Sequence, residues 1–112
     1  MMDARFLRNE MLWGKEGQAR LARAHVILFG LGGVGSYVAE CLARSGIGEL
    51  TLVDGDTVAL SNLNRQLEAL SSTIGLPKAE AVARRIAEIN PEAVLHPMQA
   101  LYNADNRPLF FP

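Results

Sequence analysis

The chain has 112 residues, enough for one small domain with its own hydrophobic core. Its composition is globular, because 49% of the residues are hydrophobic and 21% are charged. The net charge of −1 argues against a general electrostatic attraction to nucleic acid or to an anionic membrane. A single cysteine excludes an intramolecular disulfide, and no apolar run has the length of a membrane span or the form of a secretory signal. We therefore expect a cytoplasmic protein without a membrane partner.

The first part of the chain is predicted to be helical. Charged and apolar residues alternate through residues 1–24, and Gly14 and Gly17 interrupt the pattern. We predict one or two short helices here, broken between the two glycines. The domain proper is expected to take up residues 25–112.

A strand, a glycine-rich turn and a helix follow. Residues 25–29 form a short apolar run typical of a strand buried on both faces. A G-x-G-x-x-G motif occupies residues 30–35, and apolar residues then recur at helical spacing. We expect this helix to bury one apolar stripe and to end at Gly46 in a left-handed cap. The stripe consists of Val34, Tyr37, Val38, Cys41 and Leu42.

Two further strands and one further helix complete the pattern. Residues 49–53 and a segment starting at residues 93–95 are predicted strands, and an amphipathic helix is predicted to open at residues 76–77 and to run to residue 89. Because strands and helices alternate, the sequence predicts an α/β fold, the βαβαβ portion of a Rossmann-like doubly wound parallel sheet. Three strands are few for such a sheet, and residues 109–111 are apolar. We therefore expect the N-terminal portion of a longer protein.

The glycine motif predicts a nucleotide site. Its glycines leave the backbone uncovered, so that N–H groups at the helix start can approach a phosphate. Asp54 ends the second strand, where a carboxylate can accept hydrogen bonds from ribose hydroxyls. These features favour a bound nucleotide over an empty turn, but they do not choose between a dinucleotide and ATP. The glycines are Gly30, Gly32, Gly33 and Gly35.

Polar and basic residues beyond Asp54 favour ATP. Lys78 stands in the first turn of the later helix, where the helix dipole favours an anion, and Arg65 can bind phosphate oxygens in bidentate fashion. A dinucleotide has one pyrophosphate, which the glycine loop already serves, so additional cations indicate a longer polyphosphate. Asn62 and Asn64 supply neutral donors nearby. We expect both cations to be exposed, so that replacing them changes binding and leaves folding intact.

The other reactive side chains are interpreted as structural. His25 and His96 are predicted to be isolated at strand edges, without a partner at metal-ligand spacing, so no metal site is expected. Cys41 lies on the predicted apolar stripe and is interpreted as a buried small hydrophobe. Asp56 could assist a magnesium ion, but a polar residue at a strand end is the simpler interpretation.

Five short segments together carry a family resemblance. They are Phe29–Ser36, Leu52–Val58, Ser61–Gln66, Gly75–Lys78 and Ile89–Pro91. In their order and spacing over nearly the whole chain, these segments resemble the ThiF/MoeB/HesA superfamily of ubiquitin-activating-enzyme-like adenylating proteins. Arg5–Asn9 and Ala43–Gly48 look most like the branch that dehydrates threonylcarbamoyladenosine in tRNA.

The resemblance implies an ATP- and Mg²⁺-dependent enzyme in which a substrate carboxylate attacks the α-phosphate and releases pyrophosphate. In the dehydratase branch that carboxylate belongs to the modified adenosine of tRNA, and in the alternative reaction to the C-terminus of a ubiquitin-like sulfur carrier. Arg8 matches an arginine that reaches a neighbouring subunit's ATP site, which implies a homodimer. The other matching positions are Gly33 on the nucleotide, Asp54 on the ribose, and Asn62, Arg65 and Lys78 along the phosphates.

Two other function classes stay open. The glycine loop and Asp54 alone would also suit half of an NAD-dependent oxidoreductase. A non-catalytic module that keeps the fold for dimerisation would account for the small sheet. Thermal stabilisation by ATP, by NAD or by neither separates the three hypotheses.

Overall fold

The N-terminal segment is helical and is interrupted once. The computed structural model describes residues 4–112, so the first three residues of the predicted segment 1–24 lie outside it. A 3₁₀ turn at Ala4–Phe6 leads into helix α1, Leu7–Arg23, which breaks at Gly14 with a φ of 77°. The predicted break is confirmed at a residue that reaches positive φ with little steric penalty.

Three parallel strands form one sheet in the order β1-β2-β3. Helix α2 connects the first two strands and helix α3 connects the second to the third, so the predicted βαβαβ arrangement is confirmed. Gly46 ends α2 in the left-handed conformation, with a φ of 94°. The bounds are β1 His25–Phe29, α2 Gly35–Ser45, β2 Glu49–Val53, a 3₁₀ turn Leu60–Asn62, α3 Lys78–Ile89, β3 Val94–Met98 and α4 Arg107–Phe110.

The core lies between one face of the sheet and helices α2 and α3. Leu50 and Leu52 of β2 are fully buried there against Val82 and Ile86 of α3. Burying each large aliphatic side chain contributes about 1.5–3 kcal/mol, so this layer supplies much of the driving force for folding. Among the described residues, no helix combines the length and the apolar character needed to cross a bilayer.

Helix α2 buries a different face from the predicted one. It packs on the sheet through small residues, Ala39 and Ala43, which are fully buried. Small side chains let the helix axis approach the sheet closely, and this turns the larger apolar residues outward. The interpretation of Cys41 as a buried hydrophobe is therefore wrong, since this side chain is exposed. The other exposed members of the predicted stripe are Val34, Tyr37 and Val38.

The end of the described chain folds back onto β1. Phe110 is buried, and its ring centroid lies 5.3 Å from that of Phe29. Tyr102 contacts the same ring, with centroids 4.8 Å apart. Phe110 thus has a packing partner within this chain, whereas the neighbouring Leu109 and Phe111 are exposed.

Candidate nucleotide-binding site

The glycine loop, residues 30–35, crosses the carboxyl edge of the sheet between β1 and α2. Gly30 has a φ of 91°, and its N–H donates to the carbonyl of Val53 at 2.8 Å, which ties the loop to β2. A Cβ on Gly35 would lie 1.9 Å from the carbonyl oxygen of Gly30. Both positions therefore require glycine, one for its backbone angle and the other for the close approach of two backbone segments.

The start of α2 presents unused backbone donors. The N–H groups of Gly33, Val34 and Gly35 make no hydrogen bond among the described residues, and no side chain caps the helix. Free N–H groups and the positive end of the helix dipole together favour an anion at this point. This end of α2 is suited to bind a phosphate group.

Asp54 anchors the loop from the end of β2. Its Oδ2 accepts a hydrogen bond from the N–H of Leu31 at 2.8 Å, and its Oδ1 accepts one from the N–H of Asp56 at 2.8 Å. Each carboxylate oxygen keeps a second lone pair, so Asp54 can still accept hydrogen bonds from ribose hydroxyls. Asp54 thus has a structural role that sequence reasoning missed, in addition to the predicted one.

The polar segment that follows brings Arg65 onto the loop. The Oδ1 of Asn62 accepts a hydrogen bond from the N–H of Ala59 at 2.8 Å, which holds the chain in a tight turn. Arg65 is exposed, as predicted, and its Cδ would lie 3.7 Å from a Cβ placed on Gly33. The Oδ1 of Asn64 accepts a hydrogen bond from the Arg65 guanidinium at 2.8 Å. Both asparagines therefore position the segment, and Arg65 lies beside the end of α2 that has free N–H groups.

Lys78 is buried, so its predicted exposure is wrong. The residue is 7% exposed, and its N–H donates to the carbonyl of Asp56 at 3.0 Å where α3 begins. A lysine can cover its aliphatic stem with neighbouring atoms while the ammonium stays near the surface, so charge alone does not predict exposure. Within the described part of the chain, the ammonium of Lys78 has no hydrogen bond or ion pair. An anion bound here would supply the missing partner.

Two buried polar side chains near this edge were not predicted, one close to Gly32 and the other close enough to Lys78 to sense its charge. Gln66 and Glu68 are buried, and the Oε1 of Gln66 and both carboxylate oxygens of Glu68 lack a hydrogen-bond partner among the described residues. Burial raises the pKa of Glu68, while the positive charge of Lys78 opposes that rise. Gln66 belongs to the polar segment that sequence reasoning singled out, but nothing in the local pattern marks Glu68 as buried.

Asp56 belongs to the same edge of the sheet, whereas Arg8 does not. Asp56 is exposed directly after β2. Arg8 is exposed on α1, where the side-chain amide of its neighbour Asn9 donates to the carbonyl of Arg44 in the last turn of α2. Since α2 has 11 residues, that turn lies roughly 16 Å from the glycine loop. The predicted residues that the fold brings to the loop are Asp54, Asp56, Asn62, Asn64, Arg65 and Lys78.

The prediction that the two histidines are isolated is wrong. The Nε2 of His96 lies 2.7 Å from the Oε2 of Glu49, and the Nδ1 of His25 lies 3.8 Å from the same oxygen. The sheet register, which no local pattern specifies, aligns the three strands that carry them. This cluster is at the amino ends of the strands, away from the glycine loop.

Comparison with known proteins identifies the family of the chain. The ThiF family model matches residues 6–111. A tRNA threonylcarbamoyladenosine dehydratase of Bacillus subtilis is 48% identical over 106 residues, which covers 95% of this chain and 42% of that protein. A molybdopterin-synthase adenylyltransferase of Salmonella typhimurium is 43% identical over 90 residues, which covers 80% of this chain and 36% of that protein.

A solved structure shows the same fold. The Escherichia coli tRNA N6-threonylcarbamoyladenosine dehydratase in complex with ATP superimposes with a TM-score of 0.92 and 43% sequence identity. The match covers 96% of this chain and 44% of that chain. The present chain thus spans about two fifths of the length of the relatives that it matches.

Proposed function

Because the chain belongs to the ThiF family, we propose that it forms the ATP-binding part of an enzyme that adenylates a carboxylate. In this reaction a carboxylate oxygen forms a bond to the α-phosphorus, the bond from that phosphorus to the bridging oxygen breaks, and pyrophosphate leaves. One observation carries the proposal. Arg65 and Lys78, which form no salt bridge among the described residues, lie at the edge where the glycine loop presents its N–H groups.

In this proposal the side chains act by charge and position, without forming a covalent bond to the substrate. The loop N–H groups and Arg65 bind phosphate oxygens, and Lys78 adds a positive charge where α3 begins. Negative charge grows on the leaving pyrophosphate, so fixed positive groups there lower the barrier. Asp54 holds the ribose and thereby the α-phosphate in place for attack.

We include Mg²⁺ in the proposal because the oxygen donors at this edge suit it. Asp56 has an exposed carboxylate that accepts no hydrogen bond within the described part of the chain, and it follows Asp54 by two residues. Magnesium is usually held by one or two carboxylates together with substrate phosphates. When bound, the ion would neutralise phosphate charge, and Asp56 is the residue of this chain that would hold it.

We propose that the activated carboxylate belongs to threonylcarbamoyladenosine in tRNA. The support is the identity of 48% to the Bacillus subtilis dehydratase, against 43% to the molybdopterin-synthase adenylyltransferase. The second relative keeps the C-terminus of a ubiquitin-like sulfur carrier as the alternative substrate. Pyrophosphate exchange into ATP, measured with each candidate substrate in turn, distinguishes the modified tRNA from the sulfur carrier. Exchange that depends on the carrier and is unaffected by the modified tRNA would favour the alternative.

We also propose a homodimer in which Arg8 acts on the neighbouring subunit's ATP. The support is its position, since Arg8 is exposed and lies at the end of α2 that is roughly 16 Å from the glycine loop of its own chain. Analytical ultracentrifugation of the chain at increasing concentration tests the assembly, and a monomer at every concentration would contradict it.

The cytoplasmic location stays a prediction.

Nucleotide binding to this chain tests the central proposal. We expect ATP to raise the melting temperature and NAD to leave it unchanged. Arg65→Gln should weaken ATP binding by about tenfold or more, because a hydrogen bond to a charged group contributes about 1.5–3 kcal/mol. The matched control is Arg84→Gln on the exposed side of α3, where the arginine pairs only with Glu80 in the described chain. Isothermal titration calorimetry should show unchanged ATP affinity for that control.

Three outcomes would contradict the proposal. Stabilisation by NAD without an effect of ATP would indicate the oxidoreductase alternative, and no response to either ligand would indicate a non-catalytic module. Equal loss of ATP affinity in Arg65→Gln and Arg84→Gln would show that Arg65 has no specific contact.

Lys78→Met keeps the buried stem and removes the charge, so it separates binding from folding better than Lys78→Ala does.

A further inference from the structure

A second group of polar side chains lies at the amino ends of the strands. His25 begins β1, Glu49 begins β2 and His96 is the third residue of β3. One metal-binding atom from each residue lies within 4.8 Å of the other two. For His25 and Glu49 the edge with the glycine loop is at the other end of a five-residue strand, roughly 15 Å away at about 3.3 Å per residue, and His96 is two residues nearer to that edge. The cluster is therefore separate from the glycine loop.

The register of the parallel sheet brings the three residues together. His25 pairs with Glu49, and Glu49 pairs with Val94, so His96 follows two residues later on the same face. The adjacent residue Leu50 points into the core beneath α2 and α3, and alternation along the strand therefore turns Glu49 to the opposite face. Each side chain in the cluster is partly exposed, between 38% and 46%. An ion can reach it from solvent.

The donor atoms have the chemistry of a zinc site, and their separations lie on both sides of those between zinc ligands. The Oε2 of Glu49 lies 2.7 Å from the Nε2 of His96 and 3.8 Å from the Nδ1 of His25. Ligand atoms at about 2.0–2.1 Å from a tetrahedral zinc ion are about 3.3 Å from one another, so binding would move Glu49 and His96 slightly apart and draw in the wider separations, which reach at most 4.8 Å. Two imidazoles and one carboxylate form a ligand set that zinc accepts, with the fourth position left for water.

Thr51 orients one of the imidazoles. Its Oγ1 lies 2.7 Å from the Nε2 of His25, and the residue is 7% exposed. When Nε2 carries the proton and donates it to Thr51, the lone pair of Nδ1 remains on the side of Glu49. An outer hydrogen bond that fixes the tautomer and the ring direction is typical of metal-binding histidines. The position of Thr51 therefore supports a role for His25 as a ligand.

We propose that His25, Glu49 and His96 bind a divalent transition-metal ion of the zinc type. Binding would replace the hydrogen bond between His96 and Glu49 by two metal–ligand bonds, and the imidazole of His96 would then carry its proton on Nδ1. Since the three ligands come from three neighbouring strands, the bound ion would connect β1, β2 and β3 at their amino ends. Its expected effect is on the stability of the sheet, and nucleotide binding does not depend on it.

The composition of the chain makes the test specific, because His25 and His96 are its only histidines. Titration of the 112-residue chain with Zn²⁺ by calorimetry should show one site per chain. Substitution by Co²⁺ should give the visible absorption bands of a four-coordinate ion. NMR of the unaltered protein provides a readout that needs no variant. The ring signals of both histidines should shift together as Zn²⁺ is added.

Variants then identify the ligands. His96→Gln and Glu49→Gln should each weaken Zn²⁺ binding by more than about tenfold, and Thr51→Val by about tenfold, the usual effect of losing an outer hydrogen bond. Two controls should bind Zn²⁺ like the unaltered protein. Cys41→Ser removes the single thiol, and Glu92→Gln removes an exposed carboxylate outside the cluster. Circular dichroism checks that each variant is folded.

Several results would overturn the proposal. Binding that survives both His96→Gln and Glu49→Gln, or that disappears in Cys41→Ser, would place the ion elsewhere. Histidine ring signals that do not move with Zn²⁺ in the unaltered protein would exclude the cluster even if a variant fails to fold. Absence of saturable binding up to millimolar Zn²⁺ would show that the three side chains only form hydrogen bonds with one another.

Discussion

Replacement of Gly35 by alanine tests the closure of the glycine loop. A Cβ at this position would lie 1.9 Å from the carbonyl oxygen and 2.8 Å from the carbonyl carbon of Gly30, and neither backbone atom can rotate away. Ordinary contact begins at about 3.4 Å, so the loop or the start of α2 must move by about 1.5 Å. Such overpacking costs about 1–3 kcal/mol. The movement also strains the hydrogen bond from Gly30 to Val53, which contributes about 1 kcal/mol.

We expect a net loss of about 2 kcal/mol in the free energy of unfolding, because the better helix propensity of alanine offsets up to about 1 kcal/mol. Gly33→Ala is the matched control, since a Cβ there would first meet Arg65 at 3.7 Å, an ordinary contact. Its effect should stay within about 0.5 kcal/mol. Urea unfolding followed by circular dichroism measures both values. Equal stability of Gly35→Ala and the unaltered protein would refute the reasoning, as would equal losses in the two variants.

Three further replacements test charges. Burial raises the pKa of Glu68, so its ionised form destabilises the folded state at neutral pH, and Glu68→Gln should raise the melting temperature at about pH 7.5 but not at about pH 4. A rise of the same size at both pH values would contradict this cause. A hydrogen bond from Arg85 holds the pKa of Glu40 below its usual range. This interaction stabilises the folded chain fully at a pH above the pKa that Glu40 has in the unfolded chain. The stabilisation is lost as the pH falls through the lowered pKa of the folded chain. On acidification, the free energy of unfolding of Glu40→Gln should therefore fall less than that of the unaltered chain. Urea unfolding repeated at several acidic pH values measures both. Arg8→Ala should leave the ATP affinity of its own chain unchanged in calorimetry, and a loss of about tenfold would place Arg8 at that chain's own site.

The order of the elements could be predicted because each break carries a local signal. Gly30 and Gly46 have positive φ values of 91° and 94°, and Pro77 directly precedes α3, so composition alone marks these turns. The buried face of α2 had no such signal. Val38 and Ala39 are both apolar but lie on different faces of α2. Which of the two faces is buried depends on how closely the helix approaches the sheet.

The residues around the glycine loop could be predicted because they lie in or beside short motifs. Arg65 follows Asn62 and Asn64 within one turn, and the chain brings them to the glycine loop as a unit. The histidine cluster depends instead on the pairing of strands, since His96 and Glu49 are 47 positions apart. Contacts at that separation are decided by the register of the sheet, and no local pattern in the sequence reports it.

The two hydrogen bonds that Asp54 accepts hold the glycine loop in one shape before any nucleotide arrives. Fixing the backbone of one flexible residue takes about 1–2 kcal/mol of conformational entropy, and glycine loses the most freedom of all. In this protein that loss occurs during folding, because the N–H groups of Leu31 and Asp56 donate to the carboxylate of Asp54 within the chain itself. In the proposed site an incoming phosphate would meet donors that are already aligned, so binding would not have to order the loop.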